Sequence, residues 1–174
     1  FSDKAENLKK LADYNLKNIT IPKFIFFNLE NWKKNKKSLI NKIQKTLNRK
    51  ICIRSSFFKE DKAETSLAGK FDSFIDIDNN KKNISHFVEK LIEQYQKYEN
   101  KKISNHNNKI IIQNFLSDTT CSGVITNFNI SDGSPYYTIN YNDISSSTSS
   151  VTSGDQFGYR VLYVNRSSIN KLRS

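Results

Sequence analysis

The sequence predicts an α+β fold, a mostly antiparallel sheet with packed helices, and three observations lead to this prediction. Residues 29–47 and 84–98 repeat apolar side chains at helical spacing. Residues 51–53 form a short apolar run, which is typical of a strand covered on both faces. The pair Asp132-Gly133 is a turn signal directly before a further strand-like segment, as in an antiparallel hairpin.

The first helix is predicted to begin at Asp3. Asp3 followed three residues later by Glu6 is a typical helix start. Lys4 lies in the first turn, where the helix dipole disfavours a cation, so a phosphate bound nearby would relieve the conflict. The residues alone favour the simpler interpretation of Lys4 as a solvated surface lysine. The apolar face of this helix would consist of Ala5, Leu8, Leu11 and Ala12.

A strand and a long lysine-rich helix are predicted next. The strand would run from Ile19 to Phe27, with Pro22 at an edge or near its start because proline lacks an amide hydrogen. The helix would run from Leu29 to Leu47 and bury Trp32, Leu39, Ile40, Ile43 and Leu47. Its other face carries Lys33, Lys34, Lys36, Lys37, Lys42 and Lys45. These lysines could bind an anion, but a solvated helix face is the commoner explanation.

The most informative stretch runs from residue 51 to residue 77. Arg54, Ser55 and Ser56 follow the apolar run directly, and the planar fork of an arginine matches phosphate oxygens. The next loop combines small residues with a cation: Thr65, Ser66, Ala68, Gly69 and Lys70. Small side chains let backbone amides approach an anion. The residues therefore indicate a phosphate-binding loop between two strands, with an ordinary solvated loop as the alternative.

The helix at 84–98 is the clearest in the chain and would bury Ile84, Phe87, Val88, Leu91, Ile92, Tyr95 and Tyr98. His86 lies beside this stripe, and His106 lies in a polar loop at residues 99–108. Neither histidine has a metal-ligand spacing or a nearby cysteine, so we assign no metal site to them.

The last third of the chain is predicted to be strands. Residues 109–116 and 122–128 would be two strands joined by a short connection, most simply as a buried hairpin. Residues 136–142 and 159–165 would be two more. Residues 143–154 form a low-complexity polar stretch between them.

Composition narrows the classes of protein to which the chain can belong. Its 174 residues, with a net charge of +11, are enough for one domain or a large part of one. No apolar run approaches the ~18 residues of a membrane span. Cys52 and Cys121 lie in unrelated contexts, which indicates a reducing compartment rather than a disulfide framework. We therefore expect a cytoplasmic protein without a membrane partner.

Four motifs carry a family resemblance. The residues IRSS…ED…SLAGKFDSF resemble the "VRSSA…ED…SFAGQ(Y)ET" signature of the N-terminal nucleotide-binding domain of the phosphoenolpyruvate synthase and pyruvate phosphate dikinase family. DKAENL at residues 3–8 is similar to the family's "GGKAANL", and residues 21–27 are similar to "VP.GFVLT". IIQNFL at residues 111–116, followed by SGVIT, is similar to "VVVQRMV…SGVLFT". The family's later "GLGE.VVSG" is matched only at Val151, Ser153 and Gly154.

The resemblance implies an ATP-grasp fold, with residues 1–174 as the N-terminal part of the nucleotide-binding domain of a longer chain. It implies that Lys4 and Arg54 hold ATP phosphates. A loop and a nearby serine would close over the phosphates, and three residues near position 115 would meet adenine. These implied nucleotide-binding residues are Ser66, Leu67, Ala68, Gly69, Ser73, Gln113, Phe115 and Leu116.

The resemblance also implies a reaction. ATP, with Mg²⁺ held by residues beyond position 174, would phosphorylate a histidine on a downstream swivelling domain. That phosphoryl group would pass to a small acceptor such as pyruvate, an antibiotic hydroxyl, a glucan, or the amide nitrogen of glutamine in capsule phosphoramidate synthesis. The Lys- and Asn-rich, divergent sequence keeps a capsule-pathway glutamine kinase among the possibilities. Residues 1–174 alone are expected to bind ATP weakly or undetectably and not to catalyse the transfer.

Two other functions compete with this one. A nucleic-acid-binding module would agree with the net charge of +11 and the lysine-rich helix face. However, the aromatic residues fall mostly at core spacing rather than between the basic residues, so we do not expect nucleic acid as a partner. A noncatalytic ATP-grasp relic is the third possibility.

Overall fold

In a computed structural model, the protein is an α+β structure with antiparallel strands, as the sequence predicts, but the strands form two sheets rather than one. The structure describes residues 3–14, 16–57, 70–98, 108–143 and 160–171. Two compact units divide the chain, Phe1–Phe115 and Leu116–Ser174. The predicted residues Ser66 to Gly69, His106 and most of the 143–154 stretch lie outside the described residues.

Each helix of the first unit begins at a side chain that caps its first amides. Asp3 accepts a hydrogen bond from the Glu6 amide, and Asn28 accepts one from the Asn31 amide. Asn80 does the same before the third helix. Such caps satisfy amides that have no partner inside a helix. The helices are α1 (Lys4–Asp13), α2 (Leu29–Thr46) and α3 (Lys81–Tyr98).

Four strands of the first unit form one sheet, and their sequence order differs from their spatial order. They are β1 (Phe24–Asn28), β2 (Lys50–Ser56), β3 (Ser73–Asp78) and β4 (Lys109–Asn114). The spatial order is β1-β4-β2-β3, and every neighbouring pair is antiparallel. The first strand therefore begins at Phe24, so the prediction of a strand from Ile19 was wrong at its start.

The core lies between one face of this sheet and helices α2 and α3. Alternate residues of β1, β2 and β4 point into it, because side chains along a strand alternate between the two faces. The predicted buried stripes of α2 and α3 fill the other side, with Phe87 and Tyr98 only partly buried. The largest fully buried side chains are Trp32, Tyr95, Phe57, Leu29, Ile40, Ile43, Ile51, Ile53, Ile84, Leu91, Ile110 and Ile112.

The opposite face of the same sheet carries different side chains, and we call it the Arg54 face. By strand alternation it consists of Phe24, Phe26, Cys52, Arg54, Ser56, Ser73, Lys109, Ile111 and Gln113. Helix α1 begins on this face, but its predicted apolar stripe is mostly not buried. Ala5 is buried, whereas Leu11 is 45% exposed and Ala12 is exposed as well. The four apolar residues lie within α1 as predicted, but the second half of their face is exposed.

The second unit is a three-stranded antiparallel sheet in the order β5-β6-β7. Its strands are β5 (Ser122–Thr126), β6 (Tyr136–Asn142) and β7 (Arg160–Asn165), followed by a short 3-10 helix, Arg166–Lys171. Gly133 in the predicted turn has a φ of 71°, which glycine adopts without strain. Strand β4 pairs with β1 and β2 instead of β5, so the predicted hairpin of residues 109–116 with 122–128 was wrong.

In the described parts of the chain, no helix is long and apolar enough to cross a membrane. The two cysteines are free, with Cys52 buried on the Arg54 face and Cys121 exposed.

Candidate functional site

Arg54 lies in the middle of the sheet with its side chain exposed. Its β2 neighbours Ile53 and Ser55 are buried on the core side, so alternation directs Arg54 to the opposite face. Across the ladders it is paired with Ile111 of β4 and Ser73 of β3. A charged side chain on an interior strand is thus presented from a rigid backbone.

Ser73 is the first residue of β3 and the direct cross-strand partner of Arg54. Directly opposite residues of an antiparallel pair have Cβ atoms about 5 Å apart. Both side chains are exposed on the same face. The structure therefore brings together these two predicted phosphate-binding residues, which are 19 residues apart in sequence.

Lys4 reaches the same face through the start of α1. The amide of Ala5 donates to Ser56 Oγ at 3.0 Å, and Ser56 Oγ lies 3.3 Å from Asp3 Oδ1. Ser56 and Arg54 are alternate residues of β2, about 7 Å apart along the strand. The residues on either side of Lys4 are therefore attached at Ser56, one alternate position along β2 from Arg54.

An ion cluster joins the α1 start to β4. Lys109 Nζ lies 2.9 Å from Asp3 Oδ2 and 2.6 Å from Glu6 Oε1. The side chains of Lys109 and Asp3 are only 17% and 6% exposed. Burial acts to lower the pKa of Lys109, but hydrogen bonds to Glu6 and Asp3 and the charges of these carboxylates outweigh it, so the pKa is raised. Lys109 is therefore a cation held between two carboxylates.

This cluster changes the interpretation of the first turn of α1. The amides of Ala5, Glu6 and Asn7 donate to Ser56 Oγ, Asp3 Oδ1 and the Asp3 carbonyl. These donors are engaged within the protein, so a phosphate at this position would meet the Lys4 ammonium rather than the helix amides. Asp3 and Glu6 also supply the negative charge that the helix dipole favours here. The predicted conflict of Lys4 with the dipole is thereby eased without a ligand.

The three residues predicted to meet adenine are divided by the boundary between the units. Gln113 is half-buried on the Arg54 face, paired with Phe24 and Cys52. Phe115 is half-buried after β4, and its amide donates to the Lys50 carbonyl at 3.0 Å. Leu116 begins the second unit and is 53% exposed. The amide of Phe115 is thus engaged, and a purine edge would have to use other backbone groups.

Lys70 does not contact Arg54 in the structure, and Cys52 lies on the Arg54 face as a neutral thiol. Lys70 Nζ lies 4.4 Å from the ring centroid of Tyr98, which packs against the core with α3. Lys70 therefore contacts α3, although the sequence predicts that it belongs to the same phosphate-binding loop as Arg54. Burial raises the pKa of the Cys52 thiol, which keeps it protonated at neutral pH.

No group of three or more histidine, cysteine, aspartate or glutamate side chains suited to a metal ion occurs among the described residues. Sequence reasoning missed the participation of Ser56 and Lys109. Lys109 is 103 residues from Glu6 in sequence, and no local pattern marks such a pair.

Comparison with protein-family models and with curated proteins finds no match to this chain.

Proposed function

We propose that this chain is the ATP-binding portion of a phosphoenolpyruvate synthase-like phosphotransferase with an ATP-grasp fold. One observation carries the proposal. Lys4 and Arg54, which the motif resemblance implies as phosphate ligands, are 50 residues apart in sequence. The amide of Ala5, the residue after Lys4, donates to Ser56 Oγ, and Ser56 lies two residues from Arg54 on the same face of β2. Ser73, a third implied residue, is the cross-strand partner of Arg54.

The chemistry follows from charge and position. Phosphoryl transfer requires the protein mainly to orient the phosphates and to neutralise charge that develops on them. Arg54 would donate two parallel hydrogen bonds to phosphate oxygens, and Lys4 would act as a point charge beside it. The Ser73 hydroxyl can donate to the same group. Mg²⁺, when bound, adds charge neutralisation at the phosphates, and its ligands are proposed to come from residues beyond position 174.

The remainder of the proposal concerns the complete reaction. The phosphoryl group would pass to a histidine of a downstream domain and then to a small acceptor, with pyruvate or the amide of glutamine as candidates. Gln113, Phe115 and Leu116 would meet adenine, and the backbone of Ser66 to Gly69 would close over the phosphates. A cytoplasmic location belongs to the same proposal.

A titration with nucleotide tests the role of Arg54. The titration is made on the complete protein, because residues 1–174 alone are expected to bind ATP weakly or undetectably. Arg54→Ala should weaken ATP binding about 10- to 150-fold, because it removes a charge-assisted contact of ~1.5–3 kcal/mol. Arg49→Ala is the matched control, since Arg49 is also exposed and lies just before β2. Equal ATP affinities of the two folded variants would overturn the proposal.

A second comparison separates phosphate contacts from damage to α1. Lys4→Ala should weaken ATP binding strongly and adenosine binding little, because adenosine offers the ammonium nothing to bind. Phe115→Ala should weaken both ligands, since its ring is proposed to cover the base. If Lys4→Ala weakens ATP and adenosine equally, Lys4 is not a phosphate ligand.

One observation favours nucleic-acid binding as a second candidate. All six lysines of the predicted basic face of α2 are exposed. Two of them are engaged in ion pairs, Lys34 with Glu30 at 2.6 Å and Lys36 with Glu89 at 3.0 Å, which lowers the charge that the face offers. Binding of a DNA or RNA oligonucleotide that weakens steeply with salt and depends on Lys37, Lys42 and Lys45 would support this candidate.

A further inference from the structure

We propose that Lys109 is a positioning residue of the phosphate site, which holds the start of α1 on the Arg54 face so that Lys4 stays beside Arg54. This inference rests on the proposed function. It extends that function to a residue that none of the four sequence motifs singles out as a ligand.

The backbone of Lys109 is held from both sides of its strand. The Tyr95 hydroxyl of α3 donates to the Lys109 carbonyl at 2.9 Å from the core side. In the sheet, Lys109 pairs with Asn28 of β1 and with Ser56 of β2. Its backbone is thus fixed by a buried helix and by two strands. The side chain leaves the opposite face of the sheet from a rigid position.

From that position the ammonium contacts two residues that flank Lys4. Asp3 precedes Lys4 and Glu6 follows it by two residues, and both carboxylates lie within 3 Å of Lys109 Nζ. The ammonium also lies 5.5 Å from the centroid of the Phe26 ring, a cation–π distance. Lys109 therefore ties the first turn of α1 to the sheet on both sides of the proposed phosphate ligand.

The same contacts reduce the repulsion that an anion beside Lys4 would meet. Asp3 and Glu6 carry two negative charges close to Lys4, and they would repel a phosphate if they had no counter-charge. Lys109 supplies a positive charge where little water reaches, so its effect is weakly screened. Removing Lys109 would both loosen α1 and leave a carboxylate pair beside the phosphates.

Lys50 offers a matched control. It is also a strand lysine between two carboxylates, with Nζ at 3.0 Å from Asp76 Oδ1 and 3.2 Å from Asp78 Oδ1. Its side chain is exposed, and its partners lie on β3 rather than on α1. Lys50→Met therefore removes an equivalent ion cluster from the same sheet without touching the start of α1.

The experiment measures hydrogen exchange and ligand binding on Lys109→Met, Lys109→Arg and Lys50→Met. The Ala5 amide, bonded to Ser56 Oγ, reports directly whether α1 is attached to the sheet. We expect Lys109→Met to speed exchange of the Ala5 amide about tenfold or more. It should weaken ATP binding about tenfold and change adenosine binding by less than about twofold. Lys109→Arg should return the Ala5 exchange rate and the ATP affinity to nearly their parent values. Lys50→Met should change neither quantity.

Each result is decisive. The inference is overturned if Lys109→Met leaves exchange at Ala5 unchanged, or if it weakens ATP binding and adenosine binding equally. It is also overturned if Lys50→Met has the same effects as Lys109→Met. If Arg54→Ala weakens ATP but Lys109→Met does not, only this inference fails and the proposed function stands. If neither variant affects ATP, both fail.

A second variant covers the case in which Lys109→Met does not fold because Asp3 is left buried without a counter-charge. The double variant Asp3→Asn, Lys109→Met removes that charge and keeps a residue that caps helices well. It should fold and still bind ATP about tenfold more weakly than the parent. Parent-like ATP affinity in this variant would overturn the inference.

Discussion

Trp32 of α2 donates its indole N–H to Glu89 of α3 at 2.9 Å, and Lys36 binds the same carboxylate oxygen at 3.0 Å. The indole ring also stacks on Phe27 of β1, with ring centroids 5.3 Å apart. The only tryptophan of the chain thus joins both core helices and the edge strand. Its fluorescence therefore reports the folding of the first unit.

Glu89 is expected to make this unit less stable in acid. Burial acts to raise the pKa of Glu89, but hydrogen bonds from Trp32 and Lys36 outweigh it, so the pKa is lowered from its ordinary value of 4.5. A lowered pKa contributes stability above pH 4.5, and that contribution is lost as the pH falls through the folded-state value. The Glu89→Gln variant should therefore unfold at a lower urea concentration than the parent at pH 7. The difference between their unfolding midpoints should be smaller at pH 3.

The control for this prediction is Glu93→Gln, one turn later on α3. Glu93 is exposed and makes no ion pair with another described residue. Its substitution should change the free energy of unfolding at pH 7 by less than about 0.5 kcal/mol. If Glu89→Gln lowers the free energy of unfolding by the same amount at pH 7 and pH 3, titration of Glu89 is not the cause of the loss.

Tyr95 is expected to stabilise the junction of β2 and β4. Its hydroxyl accepts a hydrogen bond from the Ser56 amide at 3.2 Å and donates to the Lys109 carbonyl at 2.9 Å, and its side chain is fully buried. Tyr95→Phe would leave these backbone groups without this partner, at a cost of about 1–3 kcal/mol. Urea unfolding followed by Trp32 fluorescence measures the loss.

Tyr98→Phe is the comparison for Tyr95. The Tyr98 ring packs against Phe57 and Phe71, but its hydroxyl makes no hydrogen bond with another described residue. Its removal should cost less than about 0.5 kcal/mol. If Tyr95→Phe and Tyr98→Phe lower the free energy of unfolding by similar amounts, the two hydrogen bonds of the Tyr95 hydroxyl contribute little to stability.

Asp76 is expected to tolerate glycine but not valine. Its φ is 55°, in the left-handed region, where β3 carries one extra residue opposite β2. Asp76→Val should cost about 1–3 kcal/mol, because a branched side chain is strained there, whereas Asp76→Gly relieves strain. Asp78→Val also removes a carboxylate from Lys50 but lies outside that region. If Asp78→Val destabilises the protein as much as Asp76→Val, backbone strain is not the cause.

Gly123 is expected to be essential for pairing of β5 with β6. A Cβ atom at this position would lie 2.5 Å from the Asn140 carbonyl oxygen, a backbone atom that cannot easily move. Gly123→Ala should therefore speed amide exchange throughout both strands by about tenfold or more. Gly133→Asn, at an open turn position with a φ of 71°, should have little effect, because asparagine tolerates this region. Parent-like exchange in Gly123→Ala would show that the two strands accommodate the added Cβ atom without losing their pairing.

The sequence by itself determined the elements whose causes are local. The α2 and α3 stripes and the Asp3 cap depend on residues three or four positions apart, and each is present in the structure. The same holds for the short apolar run of β2 and for the Gly133 turn. In such cases the chemical reason lies within one turn of helix or one hairpin. Periodicity and the residue types at caps and turns were therefore enough to predict them.

Tertiary structure decided the relationships between distant segments. Strand β4 inserts between β1 and β2 instead of pairing with β5, because packing of Ile110 and Ile112 into the core outweighs the short connection between β4 and β5. Leu11 fits the helical pattern of α1 but stays exposed, since only the start of that helix contacts the sheet closely. Lys109 lies within 3 Å of Asp3 and Glu6 although 103 residues separate it from Glu6 in sequence, and no pattern of neighbouring residues encodes such a pairing.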